Sequence, residues 1–292
     1  MLLAVAGAAS AQSQYGPADD AAIQEDLRTL EQPYGGWSVA VDNDLFAGRQ
    51  TDRDYTGGLA VTLSAAHAGN YWWSPDRALR RIDQALFAAD SPFNDGLVHY
   101  SVQAGIAGFT PQDIGSETVQ RDDRPYASLM FITSARQYVD VGQRRMRHTA
   151  LTVGALGLSV TSDIHDAVHK AVGSDLPRGY DNQISAGGEP TARYVISDSK
   201  LRLQRIAFGS GLIEAKSTTE LSVGYLTEAS YALSTRVGAI GTPWWTHNPE
   251  RIDYIAQPSA VTRARGRQRV LLLGRRQSAR ARLQRVPAGT VP

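Results

Sequence analysis

Apolar and polar residues alternate with a period of two through the middle of the chain. Trp37, Val39 and Val41 alternate with small or polar neighbours, and Leu59, Val61 and Leu63 do the same. Successive side chains of a strand point to opposite faces, so these runs predict strands with one apolar and one polar side. Further strand-like segments recur at about 98–108, 126–138, 146–159, 191–197, 201–208 and 218–226. Val141-Gly142-Gln143 predicts a tight turn, and Thr110 to Arg124 a longer polar loop. Short turns alternating with long loops fit an all-β, antiparallel up-and-down transmembrane β-barrel. A soluble sandwich would give similar strands, so alternation alone leaves both open.

Two stretches change period. Between Trp72 and Ala89, residues Ala78, Leu79, Ile82, Ala85 and Leu86 fall at helical spacing, with Pro75 in the first turn. After Ser162-Asp163, a plausible N-cap, Ile164, Val168 and Val172 repeat every four residues, and Gly173 supplies a stop. The second pattern predicts a short helix in a loop, with His165 and His169 together on a neighbouring face. The loop between the first two strands carries Asp42, Asn43, Asp44, Asp52, Asp54 and Thr56. Such oxygen donors suit calcium; a solvated acidic turn is the plainer alternative.

Composition narrows the chemistry. The 292 residues, enough for one large or two small domains, include no cysteine, which excludes disulfides, thiolate metal sites and thiol nucleophiles. The start, MLLAVAGAASAQ, has the apolar core and the Ala9-Ser10-Ala11 box of an export signal. No later apolar run reaches the roughly 18 residues of a helical membrane span. Nine of the 30 basic residues lie between Val261 and Pro292, a stretch holding none of the 29 acidic ones. That arginine-rich tail neither alternates nor ends as an outer-membrane strand does. It reads as a disordered or nucleic-acid-binding tail, or as the product of a reading-frame shift that replaces the final strands. The expected division is therefore 1–11 signal remnant, 12–35 polar leader, 36–257 barrel with active site and 258–292 aberrant tail. Trp72-Trp73 and Trp244-Trp245 are expected in the aromatic girdles of the membrane interface.

The histidines allow hydrolysis. A helical H-x-x-x-H can bind zinc, but the protease version needs Glu after the first His, where Asp166 stands. A neutral histidine is instead a natural general base for activating water, and a divalent cation can polarise an ester carbonyl. No G-x-S-x-G elbow surrounds any serine, which counts against an α/β-hydrolase.

Several blocks occur in one order: NDLFAG and TDRDYTGG within 43–58, TPQD at 110–113, DRPYASL at 123–129 and DIHDAVHKAVGSDLPRGYDNQ at 163–183. Together they resemble the outer-membrane lipid A deacylase family, the LpxR type, over about residues 36 to 257. The resemblance implies a twelve-stranded barrel, its final strands missing here, located in the cell outer membrane. It implies removal of the 3′-linked acyloxyacyl group of lipid A, with calcium forming the oxyanion hole and a histidine activating water. His169 matches the water-activating histidine, and Asn43 and Asp44 match an Asn-Asp pair ending the first strand. Thr56 matches a threonine beginning the second. Asp175 stands where a glutamate meets the metal, shorter by one methylene, so Asp44, Thr56 and Asp175 are the implied Ca2+ ligands. His165 replaces a glutamine one turn before the base and could position water or substrate. Arg124 is read as a structural contact, with a lipid A phosphate as the lesser alternative. Implied partners are lipopolysaccharide and outer-membrane lipids, with no nucleic acid, and a monomer. A non-catalytic structural or transport barrel and a calcium-dependent phospholipase are the competing readings.

Overall fold

The computed structural model describes residues 36–43, 57–87, 97–111, 113–118, 125–159, 178–185, 187–208, 211–238, 240, 243–251, 255–256, 272–277 and 281–283, with single positions between. Strands β1 (Gly36–Asn43) and β2 (Gly57–Ser64) pair with Trp37 opposite Leu63 and Asn43 opposite Gly57. The next strands are β3 (Leu97–Phe109), β4 (Ala127–Asp140), β5 (Arg145–Leu156), β6 (Glu189–Phe208), β7 (Gly211–Gly224) and β8 (Thr227–Gly238). Each lies antiparallel beside the one before it. Helix α1 (Asp76–Phe87) lies in the β2–β3 connection.

Register explains the alternation. One row across the sheet reads Val39, Val61, Ala104, Ile132, Val153 and Ala192, all apolar. One residue further along, the row reads Thr62, Gln103, Thr133, Thr152 and Arg193, all polar. Gln103 Nε2 donates to Thr62 Oγ1 at 2.9 Å, and the Thr133 and Thr152 hydroxyls are 2.8 Å apart. On the apolar face Val61, Leu221, Val223 and Leu233 stay exposed. A contiguous exposed apolar surface of this kind marks contact with lipid or another protein.

The polar face is covered from within. The described residues of the segment 240–256 lie against it and bond to strands β3, β4, β5, β6 and β7. Gln137 Nε2 donates to the Trp245 carbonyl at 3.2 Å, and Lys216 pairs with Glu250 at 3.0 Å. Arg251 pairs with Glu220 at 3.0 Å and His148 Nε2 donates to the Ala256 carbonyl at 2.9 Å. The Ala256 amide donates to Gln103 Oε1 at 3.2 Å. Buried polar groups are costly unless paired, and this strap supplies many of the partners.

Several expectations need correction. Among the described residues the expected twelve-stranded closed barrel is instead an open ten-stranded sheet. Among the described residues β1 pairs only with β2. At the other edge β9 (Leu272–Gln277) and β10 (Ala281–Leu283) lie end to end along β8. These last strands, of 6 and 3 residues, fall short of the roughly 9–11 that cross a bilayer and do not reach β1. They arise from the arginine-rich tail, where no strand was expected. β6 is one strand, not two, because Asp198 pairs with Arg147 at 2.9 Å on one face while Ser199 bonds Thr218 at 2.8 Å on the other. β8 was not anticipated. Trp244 and Trp245 are not girdle residues: at 6% and 4% exposure they pack with Val139, Met146 and Leu201 beneath the strap. Trp72, 94% exposed, does suit an interface position.

Helix α1 forms where its periodicity places it, yet docks through only part of its apolar stripe, with two acids beside it. Its buried residues are Asp76, Leu79 and Asp83, whereas Ala78, Ala85 and Leu86 are exposed. Asp76 makes two bonds to Arg136, of 2.7 and 2.5 Å, and Asp83 accepts from Thr149 at 2.8 Å and Tyr194 at 2.9 Å. Burial raises the Asp83 carboxyl above its usual range, and the hydrogen bonds from Thr149 and Tyr194 counter that rise.

Candidate active site

Antiparallel order brings alternate connections to the same end of the sheet. Asn43, Gly57, Gly108 and Ser128 form one cross-strand row at the end where the β1–β2, β3–β4 and β5–β6 connections leave. Leu156 of β5 pairs with Leu129 at the same end. Every block of the sequence resemblance therefore starts from, or returns to, one rim.

The described parts of two connections grip one another there. Tyr126, 3% exposed, donates its hydroxyl to the Ile114 carbonyl at 2.7 Å. The Arg178 amide donates to that same carbonyl at 2.8 Å. Asn182 Nδ2 donates to the Glu117 carbonyl at 2.8 Å, and the Tyr126 and Tyr180 rings lie 4.6 Å apart. Gly179 makes this approach possible, since a Cβ would stand 2.4 Å from the Tyr126 ring. Burial pushes both tyrosine hydroxyls above their ordinary range, so they remain neutral donors.

A second layer ties the β5–β6 connection to strand ends. Ser128 Oγ donates to Gln183 Oε1 at 3.1 Å, and Gln183 Nε2 donates to the Gly157 carbonyl at 3.0 Å. Ser185 Oγ donates to the Leu156 carbonyl at 3.1 Å, and the Ile184 amide to that of Tyr126 at 2.9 Å. Sequence reasoning did not assign these residues a part. Their signal was there, because Tyr126 and Ser128 stand in DRPYASL and Gly179 to Gln183 in RGYDNQ.

Of the predicted site residues, Asn43 is the last residue of β1, with its side chain outside the described residues. Asp44, Thr56, His165, His169, Asp175 and Arg124 also lie outside them, as do the signal remnant and polar leader. Ser162, Asp163, Asp166, Ala167 and Lys170 are helical, as the loop pattern predicts, and Lys170 lies 3.8 Å from Asp166, one turn away. Among the described residues no group of three or more His, Asp or Glu could hold a metal ion. The expectation of calcium is not borne out there.

Comparison with known proteins bears on identity. The family model described as outer membrane protein LpxR matches residues 1–272. No curated protein matches the chain. The solved structure of LpxR from Salmonella typhimurium is similar with a TM-score of 0.51 at 12% identity. The match covers 70% of this chain and 63% of that one, a likeness of fold. With 272 of its residues matched by the family model, the chain belongs to the LpxR family of outer membrane proteins.

Proposed function

We propose that this protein is an outer-membrane esterase that releases the 3′-linked acyloxyacyl group of lipid A. Membership of the LpxR family supports the reading. The observation that carries it is the rim itself, where the described parts of the family-like blocks 110–129 and 178–183 lock together beside the row from Asn43 to Ser128.

In this reading His169, neutral near pH 7, accepts a proton from water as the water oxygen attacks the ester carbonyl. The proton passes to the departing sugar oxygen, leaving a free carboxylic acid and a hydroxyl. Asn43 donates its amide hydrogen to a substrate oxygen, and His165 orients the water. Asp44, Asp175 and Thr56 offer only hard oxygen donors, a set that suits calcium rather than a softer metal. A bound calcium ion would supply charge stabilisation for the oxygen on which negative charge develops. Strap residues fill much of the polar face that a conducting pore would need, and no observation favours the transport reading.

The test is the mass of lipid A from cells expressing the full chain, with and without His169→Ala and with a calcium chelator. The expected result is loss of one acyloxyacyl group, abolished by the substitution and by chelation. Unchanged lipid A mass, or full activity of the variant, overturns the proposal. Fatty acid release from glycerophospholipid in place of lipid A would identify a phospholipase instead.

A further inference from the structure

Helix α1 stands at the end of the sheet away from the candidate site, and its outward surface has no role in the proposed reaction. We propose that this surface binds the headgroups of anionic glycerophospholipids. Three observations converge on it. The helix docks through Asp76 and Asp83, so both of its acids are buried against Arg136, Thr149 and Tyr194. Arg77, Arg80 and Arg81 are exposed, leaving the outward side uniformly cationic. Its apolar Leu86 is 59% exposed, and Trp72 and Trp73 just before it are 94% and 37% exposed.

Position makes these features coherent. Arg136, Tyr138 and Thr149 belong to the same face as the apolar row through Ile132 and Val153. Along β4 that face passes from Met130 and Ile132 to Ser134, Arg136 and Tyr138, and α1 covers the polar part. The helix therefore lies where the apolar band ends. An amphipathic helix with basic residues beside Trp and Leu is suited to lying in the plane of a membrane interface. Trp73 is held in place by stacking on Tyr71 at 5.4 Å, and Arg147 sits over the Phe87 ring at 4.4 Å. Anchored at both ends, the helix offers its arginines in a fixed row.

The experiment uses the full chain refolded in a zwitterionic detergent, with bound lipid counted by native mass spectrometry. Phosphatidylglycerol is compared with phosphatidylcholine, for the wild type and for Arg77→Gln/Arg80→Gln/Arg81→Gln. Each arginine near an anionic surface contributes roughly fivefold, so the triple variant should lose on the order of a hundredfold of the preference. Glutamine keeps the helix propensity, and circular dichroism checks the fold. Equal retention of the two lipids by the wild type, or undiminished preference in the variant, overturns the proposal. So does displacement of phosphatidylglycerol by lipid A through the same arginines, which would assign the surface to the other leaflet. None of these readouts depends on deacylation.

Discussion

Replacing Gly179 with alanine tests the candidate rim with one methyl group. The new Cβ would lie 2.4 Å from Cε2 and 3.0 Å from Cδ2 of Tyr126, and 2.8 Å from the Ser116 carbonyl. Ordinary contact begins about 1 Å further out, so the segment must back away by about that much. Tyr126 cannot yield easily, because its ring packs on Tyr180 and its hydroxyl is bound to Ile114. Retreat would stretch the bonds from Arg178 to Ile114 and from Asn182 to Glu117, each now 2.8 Å. Gly179 has φ −101, which any residue adopts, so the substitution tests packing and not backbone strain.

Overpacking of this kind costs about 1–3 kcal/mol. Misplacement of site elements by ~1 Å can cost about a hundredfold in rate. Gly115→Ala is the control in the partner loop, since its Cβ would rest 3.5 Å from Asp113 Oδ1. The assay pairs lipid A deacylation at matched expression with the urea midpoint of the refolded chain. Gly179→Ala should lose most of its activity and a measurable part of its stability, and Gly115→Ala neither. Wild-type behaviour of Gly179→Ala, or equal losses in the control, would refute the idea that close loop contact positions the site.

Two further predictions concern charged contacts, one buried and one exposed. Asp76→Ala should cost about 3–5 kcal/mol in urea denaturation, because it strands the buried Arg136 guanidinium, and Asp76→Ala/Arg136→Leu should recover most of that. Asp166→Asn, which breaks an exposed pair, should change the midpoint by less than about 0.5 kcal/mol. The strap should loosen in acid. Burial and the nearby Arg236 and Lys216 lower His247 to about 4, so the unfolded chain binds a proton between about pH 6.5 and 4 while the folded chain does not. Stability therefore falls as pH drops through that window, and His247→Gln should flatten the slope. Protonating Glu250, held below its usual range against the cost of burial by Lys216 and Thr218, extends the loss at lower pH. A stability curve flat from pH 7 to about 4 in the wild type would count against this.

Strand existence was legible because each residue step flips a side chain between an apolar and a polar surface, and the rows through Val61 and Thr62 carry that difference across the sheet. Closure was not legible, since it depends on whether distant edges meet rather than on any local period. The strap escaped for a related reason. Its segment has no periodicity, and its partners Gln103, Gln137, His148 and Lys216 come from separate strands. Only the aromatic pair Trp244-Trp245 marked the segment, and exposure was the wrong inference from it. Helix α1 misled differently: an apolar stripe ordinarily faces the core, but here two acids find buried basic and hydroxyl partners beside Leu79 while Ala78, Ala85 and Leu86 of the stripe stay exposed. At the rim, ordered blocks identified the family, whereas the reason for Gly179 emerged only when Tyr126 was placed against it.

The open edge and the proposed chemistry meet on one strand. β1 carries Asn43 as its last residue, and among the described residues its ladder runs to β2 alone. The Tyr126 and Gln183 side of the rim, by contrast, grows from β4 and β5, each paired on both sides. Positional precision is therefore unequally distributed across the site. In the proposed reaction a general base on the β5–β6 connection would act from a doubly paired wall, while the proposed donors near Asn43 would depend on a single eight-residue ladder. Trp37 and Val39, 75% and 48% exposed, make that strand apolar, and among the described residues its other edge meets no strand; unpaired backbone is expensive in lipid. Stabilising the outer edge of β1 would thus serve the proposed insertion and catalysis together. Substitutions that weaken the β1–β2 ladder should depress activity more steeply than equal losses of stability elsewhere in the sheet.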